Sequence, residues 1–157
     1  MSINSIVHLS DAALIAIHAL AGLACAPGRL VQSKDLAAII DASENHVAKV
    51  MQRLVKAGLV RSLKGPSGGF ALAKDAGGIS FKEAIEAVDG SLTGDFCPFR
   101  TDRCHPGECI FGHELGRHAA ELVSYLDTRT IADIAAETAA RTPPPHVAAV
   151  RPVPAQV

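Results

Sequence analysis

The sequence predicts a mainly α-helical protein with a small β-hairpin, arranged as a winged helix-turn-helix followed by a long C-terminal dimerisation helix. Three observations predict this fold class: two helical patterns joined by a tight turn, a glycine-rich hairpin directly after the second helix, and an apolar stripe on a later helix. A chain of 157 residues can bury one core and carry an appended arm. We expect a compact winged domain at 1–76, a cysteine loop with dimerisation helices at 77–140, and a disordered proline-rich tail at 141–157.

An apolar run predicts a first helix over residues 10–25, which a Pro-Gly pair ends. The run is shorter than the roughly 20 apolar residues of a membrane span, and His18 interrupts it. A signal peptide is also unexpected, because residues 2–11 contain no Lys or Arg. We therefore predict a buried helix, with Cys25 as a small core side chain, in a cytoplasmic protein that does not enter a membrane.

Two further helical patterns predict a helix-turn-helix. Ser33 is expected to cap a short helix over 34–40. Ser43 is expected to cap a second helix, which stops at Gly58. The opposite face of this second helix is polar and basic, as in a recognition helix. Its apolar side chains recur at helical spacing and form one buried face: Val47, Val50, Met51, Leu54 and Val55.

A basic hairpin follows, with predicted strands at 59–63 and 70–73 around a Gly-Pro-Ser-Gly-Gly turn, which is typical of a wing. Residues 43–74 are strongly basic and contain Glu44 as their single acid, whereas residues 110–138 are acidic. This division favours double-stranded DNA as the partner of the first region. The predicted DNA contacts are Ser43, Asn45, His46, Lys49, Gln52, Arg53, Arg61, Lys64, Gly65, Ser67, Gly68 and Gly69.

The second half of the chain predicts three more helices. Ser80 and Glu83 form a capping box that opens a helix ending near Gly90. A long helix is expected over 110–126 and a last one over 131–139. The apolar stripe of the long helix favours a homodimer, with packing against the N-terminal helix as the alternative: Leu115, Ala119, Leu122, Val123 and Leu126.

Three of the four cysteines, Cys97, Cys104 and Cys109, lie close together in a stretch that Pro and Gly keep irregular. Thiolates spaced in this way can converge on one metal centre. A zinc site completed by His105 or His113, redox-active thiols without metal, and incidental cysteines remain alternatives. Paired disulfides are disfavoured because the triplet leaves one thiol over. No catalytic constellation is apparent, so we do not expect an enzyme.

Several of these segments together resemble the IscR/NsrR-type (BadM-like) winged-helix regulators over about residues 5–138. The similarity rests on the helix at 44–54, the hairpin at 56–70, the cysteine triplet and the string at 130–134. The resemblance implies a homodimeric transcription regulator, a repressor in our interpretation, whose cysteines hold an iron–sulfur cluster that sets its affinity for a palindromic DNA site. Residues 45–50 look closest to the branch that senses nitric oxide.

The fourth ligand distinguishes the branches of this family. In the nitric-oxide sensors an aspartate near the start of the first helix, supplied by the partner subunit, completes the cluster, and Asp11 matches that position. His113 is the first alternative and His105 the second, and a non-protein ligand is a third. The cysteine spacing leaves a 2Fe–2S and a 4Fe–4S cluster both open. The alternative functions are a thiol-redox or zinc-stabilised DNA-binding regulator and a small iron–sulfur electron-transfer protein.

Overall fold

The computed structural model describes residues 9–65, 67–94 and 113–140. The cysteine triplet, His105 and the predicted tail at 141–157 lie outside the described residues. The fold is mainly helical with one antiparallel hairpin, as predicted. Its elements are α1 (Asp11–Ala24), α2 (Ser33–Ile40), α3 (Glu44–Lys56), β1 (Val60–Leu63), β2 (Gly69–Leu72), a 3-10 turn (Ala76–Gly78), α4 (Phe81–Asp89), α5 (Glu114–Thr128) and α6 (Ile131–Ala140).

Helix α1 is the centre of the core. Ser10 caps it, because its Oγ accepts a hydrogen bond from the backbone N–H of Ala13 at 3.0 Å. Ala and Ile side chains around most of the helix are buried, and α2, α3, α4 and α6 all pack against it. Cys25 follows the last turn and is only partly buried, so it lies at the edge of the core rather than within it. Within the described part of the chain, no helix is long and apolar enough to cross a membrane.

Helices α2 and α3 form the predicted helix-turn-helix. Asp41 makes the turn in a left-handed conformation with φ 58°. Ser43 caps α3 as predicted, through a 3.3 Å bond from the N–H of His46 to its Oγ. Gly58 follows the end of α3 with φ +77°, a conformation that favours glycine. The predicted cap at Ser33 is wrong: α2 already begins at Ser33, because the extended chain before it continues through Gln32.

The hairpin after α3 is the wing. Strands β1 and β2 pair with Val60 opposite Leu72 and Leu63 opposite Gly69. A third segment joins them, because Val31 and Phe70 exchange two backbone hydrogen bonds of 2.9 Å. The wing is therefore attached to the segment that precedes the helix-turn-helix.

Helices α4 to α6 close over α1. Ser80 caps α4 as predicted, but the carboxylate of Glu83 accepts hydrogen bonds from Lys74 Nζ, at 2.7 and 2.9 Å. The start of α4 is tied to the α5–α6 connection, since the N–H of Phe81 donates to the carbonyl of Arg129 at 2.8 Å. Side chains from α1, α4, α5 and α6 belong to one buried cluster. The domain boundary at residue 76 falls in the 3-10 turn and stays a prediction.

The described part of the long helix, α5, exposes part of its apolar stripe. Leu126 is buried, whereas Leu122 is 37% exposed. Tyr125, which the predicted stripe omitted, lies beside Leu122 and is 54% exposed. The helix ends at Thr128, two residues later than predicted, and residues 110–112 of the predicted helix are outside the described ranges.

Candidate nucleic-acid interface

The outward face of α3 presents long polar side chains. Asn45, Lys49 and Gln52 are exposed, while His46 is half-buried at the start of the helix. The buried face of α3 fixes their direction, because Val47, Met51 and their neighbours fill the core. Ser43 is exposed, but its hydroxyl already serves as the helix cap. The first two turns of α3 therefore offer amide, imidazole and ammonium groups to a partner.

The wing presents a second polar surface. Arg61, Lys64, Gly65 and Ser67 are exposed. Gly68 is buried instead, and its N–H donates to the carbonyl of Gly65 at 2.9 Å. A Cβ at Gly68 would lie 2.2 Å from the carbonyl oxygen of Leu63. The backbone of Gly68 therefore approaches the backbone of the wing itself closely, and not that of a partner.

Gly69 has a related constraint. A Cβ built there would lie 2.8 Å from the carbonyl oxygen of Val31. These two glycines are therefore needed for the wing's own packing, and the exposed part of its tip consists of neighbouring residues.

Charge is distributed unevenly over the described residues. Near the C-terminus the cations are paired: Arg117 contacts Glu114 at 2.6 Å and Glu121 at 2.7 Å. The hydrogen bond from Arg117 lowers the pKa of Glu114. By contrast, within the described ranges, none of the Lys and Arg side chains of α3 and the wing has a carboxylate partner: Lys49, Arg53, Lys56, Arg61 and Lys64.

Arg53 differs from the other basic side chains of α3. Its Nη1 donates a 2.8 Å hydrogen bond to the carbonyl oxygen of Val88 in the last turn of α4. This bond links the helix to the body of the protein. Sequence patterns could not reveal it, because the two residues are far apart in the chain.

Asp11 and the start of α3 line the same surface groove. The groove lies between α1 and the turn of the helix-turn-helix, and its polar lining includes Asp11, His18, Asp41, Ser43 and His46. The Asp11 carboxylate is exposed and has no hydrogen-bond or ion-pair partner among the described residues. The structure thus brings a predicted cluster ligand close to two predicted DNA contacts.

The other predicted ligands have different positions. His113 is exposed at the cap of α5, in a left-handed conformation with φ 62°. Burial raises the pKa of the Cys25 thiol, which favours its protonated form. Cys25 was not a predicted ligand, and it lies at the C-terminal cap of α1.

Two residues at the surface were not predicted. Arg29 lines a cleft beside the wing together with Arg61. Its sequence position, in the connection between α1 and α2, carries no periodic signal. Tyr125 is the second, and its spacing three residues after Leu122 could have indicated it.

Comparison with known proteins identifies the family. The sequence pattern of the Rrf2 family, described as "Iron-dependent Transcriptional regulator", matches residues 9–137. A relative in Aquifex aeolicus (strain VF5), named as an HTH-type transcriptional regulator, is 32% identical over 128 residues, which are 80% of this chain and 89% of that protein. The HTH-type transcriptional regulator IscR of Klebsiella pneumoniae is 37% identical over 93 residues, which are 59% of this chain and 56% of IscR.

Solved structures share the fold. CymR, the global cysteine regulator of B. subtilis, superposes with a TM-score of 0.73 at 22% identity, covering 85% of this chain and 99% of CymR. IscR of T. potens superposes with a TM-score of 0.69 at 23% identity, covering 91% of this chain and 97% of that chain. The matched proteins are regulators of transcription and not enzymes. The chain belongs to the Rrf2 family of DNA-binding transcriptional regulators.

Proposed function

We propose that this protein is a homodimeric repressor that binds a palindromic operator and whose DNA affinity depends on an iron–sulfur cluster. The observation that supports DNA binding is the set of basic side chains on α3 and the wing that have no carboxylate partner among the described residues, beside exposed Asn45 and Gln52. Each cation that meets a phosphate releases a condensed counterion, which favours binding. The amide side chains can read base edges in the major groove. The recognition helices of a dimer would enter successive major grooves about 34 Å apart.

The donor set fits an iron–sulfur cluster. Cys97, Cys104 and Cys109 provide three thiolates, and Asp11 of the partner subunit would provide a carboxylate. The exposure of Asp11, and its lack of a partner among the described residues, support this role because the oxygens remain available. His113 is the alternative fourth ligand. When bound, the cluster supplies iron that reacts with nitric oxide and oxidants, which we infer to be the signal.

The position of Asp11 also supports a coupling between ligand and DNA surface. The groove that it lines reaches Ser43 and His46 at the start of α3. Ser10, the preceding residue, donates its hydroxyl hydrogen to Asp89 Oδ1 at 2.7 Å, which ties the start of α1 to the end of α4. Arg53 ties α3 to the same end of α4. A shift of α1 at Asp11 would therefore be transmitted to the recognition helix in two ways, across the shared groove and through the end of α4. We infer a cytoplasmic location, where thiols stay reduced.

The test of this function combines a visible absorption spectrum of the protein with selection of bound DNA from a random duplex library. Protein purified without oxygen should show broad visible absorbance, and it should enrich one palindromic sequence from a random duplex library. Titration with nitric oxide should change both the spectrum and the affinity for the selected duplex. A colourless protein that still enriches a palindrome would favour the zinc or thiol-redox regulator. Absence of any enriched sequence from both loaded and cluster-free protein would contradict the proposal.

A further inference from the structure

We propose that Arg29 and Arg61 form a phosphate-binding cleft at the base of the wing, which takes a backbone phosphate of the bound DNA. The inference rests on the proposed DNA binding and adds Arg29, which the sequence patterns did not single out. The cleft lies between the end of α1, the connection to α2, the wing and the segment after β2. Its charged lining residues are Arg29, Arg61, Lys74 and Asp75.

Of these four charges, that of Lys74 is neutralised by an ion pair, while Asp75 accepts a backbone hydrogen bond and keeps its negative charge. Lys74 Nζ contacts Glu83 at 2.7 Å, and a carboxylate oxygen of Asp75 accepts the N–H of Gly77 at 2.8 Å. The guanidinium groups of Arg29 and Arg61 have no carboxylate partner among the described residues. Arg29 is half-buried. A partly desolvated guanidinium is usually paired, and its planar fork matches a phosphate. The cleft therefore has an excess of positive charge suited to an anion.

The backbone fixes the relative position of the two arginines. Arg61 pairs with Ala71 across the hairpin, and Val31 pairs with the neighbouring Phe70. Arg29 lies two residues before Val31, so it approaches the same end of β2 from the other side. Ala71 lines the cleft between them and is 7% exposed. Arg61 and Arg29 therefore lie on the two segments that flank β2, one on each side.

The place of the cleft favours DNA over a free anion. Lys64 directly follows β1, three residues after Arg61, so their Cα atoms are separated by up to about 10 Å. The charges of one DNA strand recur every 3.4 Å or so along the helix axis. A duplex that meets Lys64 at the tip can therefore present another phosphate to the cleft. The wing would then hold the duplex at two points along its length.

The experiment measures the salt dependence of DNA binding. Wild type and the variants Arg29→Gln, Arg61→Gln and the double variant are titrated by fluorescence anisotropy with the selected duplex and a random duplex, at several salt concentrations. Because each substitution is present in both subunits of the proposed dimer, we expect each single variant to reduce the salt slope by about two units, and the double variant by about four. Over a fourfold range of salt, the loss of affinity should be about fourfold smaller for each contact removed.

Two controls separate charge from structure. Arg117→Gln removes the same charge from α5, and it should keep the wild-type slope. Arg29→Lys should keep the slope while weakening affinity, because a point charge replaces the fork. Circular dichroism of each variant verifies that the helices are intact. A wild-type slope in both Arg29→Gln and the double variant would overturn the inference while leaving the proposed function standing.

A further titration distinguishes the source of the phosphate. Inorganic phosphate is added to wild type and Arg29→Gln without DNA, and binding is followed by NMR chemical shifts. We expect no saturable binding to wild type. Saturable binding that Arg29→Gln abolishes, together with an unchanged DNA salt slope, would assign the cleft to a small anion and overturn the DNA contact. If wild type binds no duplex at all, the proposed function itself fails.

Discussion

Arg53 Nη1 donates a 2.8 Å hydrogen bond to the carbonyl oxygen of Val88, and this bond joins the recognition helix to the last turn of α4. Arg53 belongs to the basic set predicted to contact DNA, and that role stays a prediction. The bond gives it a second role, because it fixes the helix against the element that leads into the cysteine segment. The first prediction separates these two roles.

Replacing Arg53 by Gln should lower the free energy of unfolding by about 1–2 kcal/mol, because a charge-assisted hydrogen bond is lost. Gln52→Ala, on the exposed side of the same turn, should leave stability within error. Arg53→Lys retains the charge but lacks the planar fork. If Arg53 acts mainly by positioning α3, Arg53→Lys should bind operator as weakly as Arg53→Gln. Wild-type affinity in the Lys variant would mean that charge alone matters. Urea unfolding and anisotropy titrations provide the two measurements.

The second prediction concerns direct reading of sequence by α3. Asn45 and Lys49 are exposed on its first turns, and side chains there can pair with adenine and guanine. Truncating either to Ala should cost about 1–3 kcal/mol of discrimination for the operator while sparing random DNA. Lys64→Ala, on the wing, should instead weaken binding to both duplexes and lower the salt slope by about one unit for each subunit of the proposed dimer. Equal losses on both duplexes for Asn45→Ala and Lys49→Ala would show that α3 contacts only the DNA backbone.

The third prediction concerns the cysteines. Replacing Cys97, Cys104 or Cys109 by Ala should abolish the visible absorbance of protein purified without oxygen. Cys25→Ala is the matched control and should retain the absorbance, because that thiol lies at the end of α1 and is far from the triplet in the sequence. Full colour in Cys104→Ala would contradict the ligand assignment.

Asp11→Ala provides the companion measurement. The cluster should still assemble but should be lost faster on exposure to air or nitric oxide, since three thiolates remain. An unchanged rate in Asp11→Ala, with faster loss in His113→Ala, would transfer the role of fourth ligand to His113.

The fourth prediction concerns the dimer. Leu122 and Tyr125 form an exposed apolar pair on α5, at 37% and 54% exposure. Leu122→Asp should convert the dimer to a monomer, because association would bury an unpaired charge. Ser124→Asp adds the same charge on the opposite side of α5 and should leave the dimer intact. Sedimentation equilibrium distinguishes the two. A dimer of wild-type stability in Leu122→Asp would place the contact elsewhere.

The local features of the fold could be predicted from sequence, and the tertiary ones could not. The caps at Ser43 and Ser80 and the stop at Gly58 depend on residues within one or two turns, so their patterns are visible in the chain. The predicted cap of α2 at Ser33 is one residue too late, because the residues before the helix remain extended after pairing with the wing. That pairing connects distant positions and leaves no periodic signal.

The candidate site divides in the same way. The polar face of α3 follows from helical spacing, so its exposed residues could be predicted. The groove shared by Asp11 and His46 depends on how α1 packs against the helix-turn-helix, which no motif specifies. Arg53 illustrates the difference: its place on the polar face is periodic, but its bond to Val88 is a tertiary contact.

The pairing of Val31 with Phe70 has a consequence for how operators are distinguished. Two backbone hydrogen bonds fasten β2 to the segment entering α2, and β1 packs against α3, so the wing and the recognition helix keep a fixed spacing. Neither the wing nor the recognition helix can move alone to fit a longer or shorter half-site. In the proposed homodimer, tolerance for altered spacing would therefore come from the angle between the two subunits, and a signal that changes this angle would change which promoters the regulator occupies.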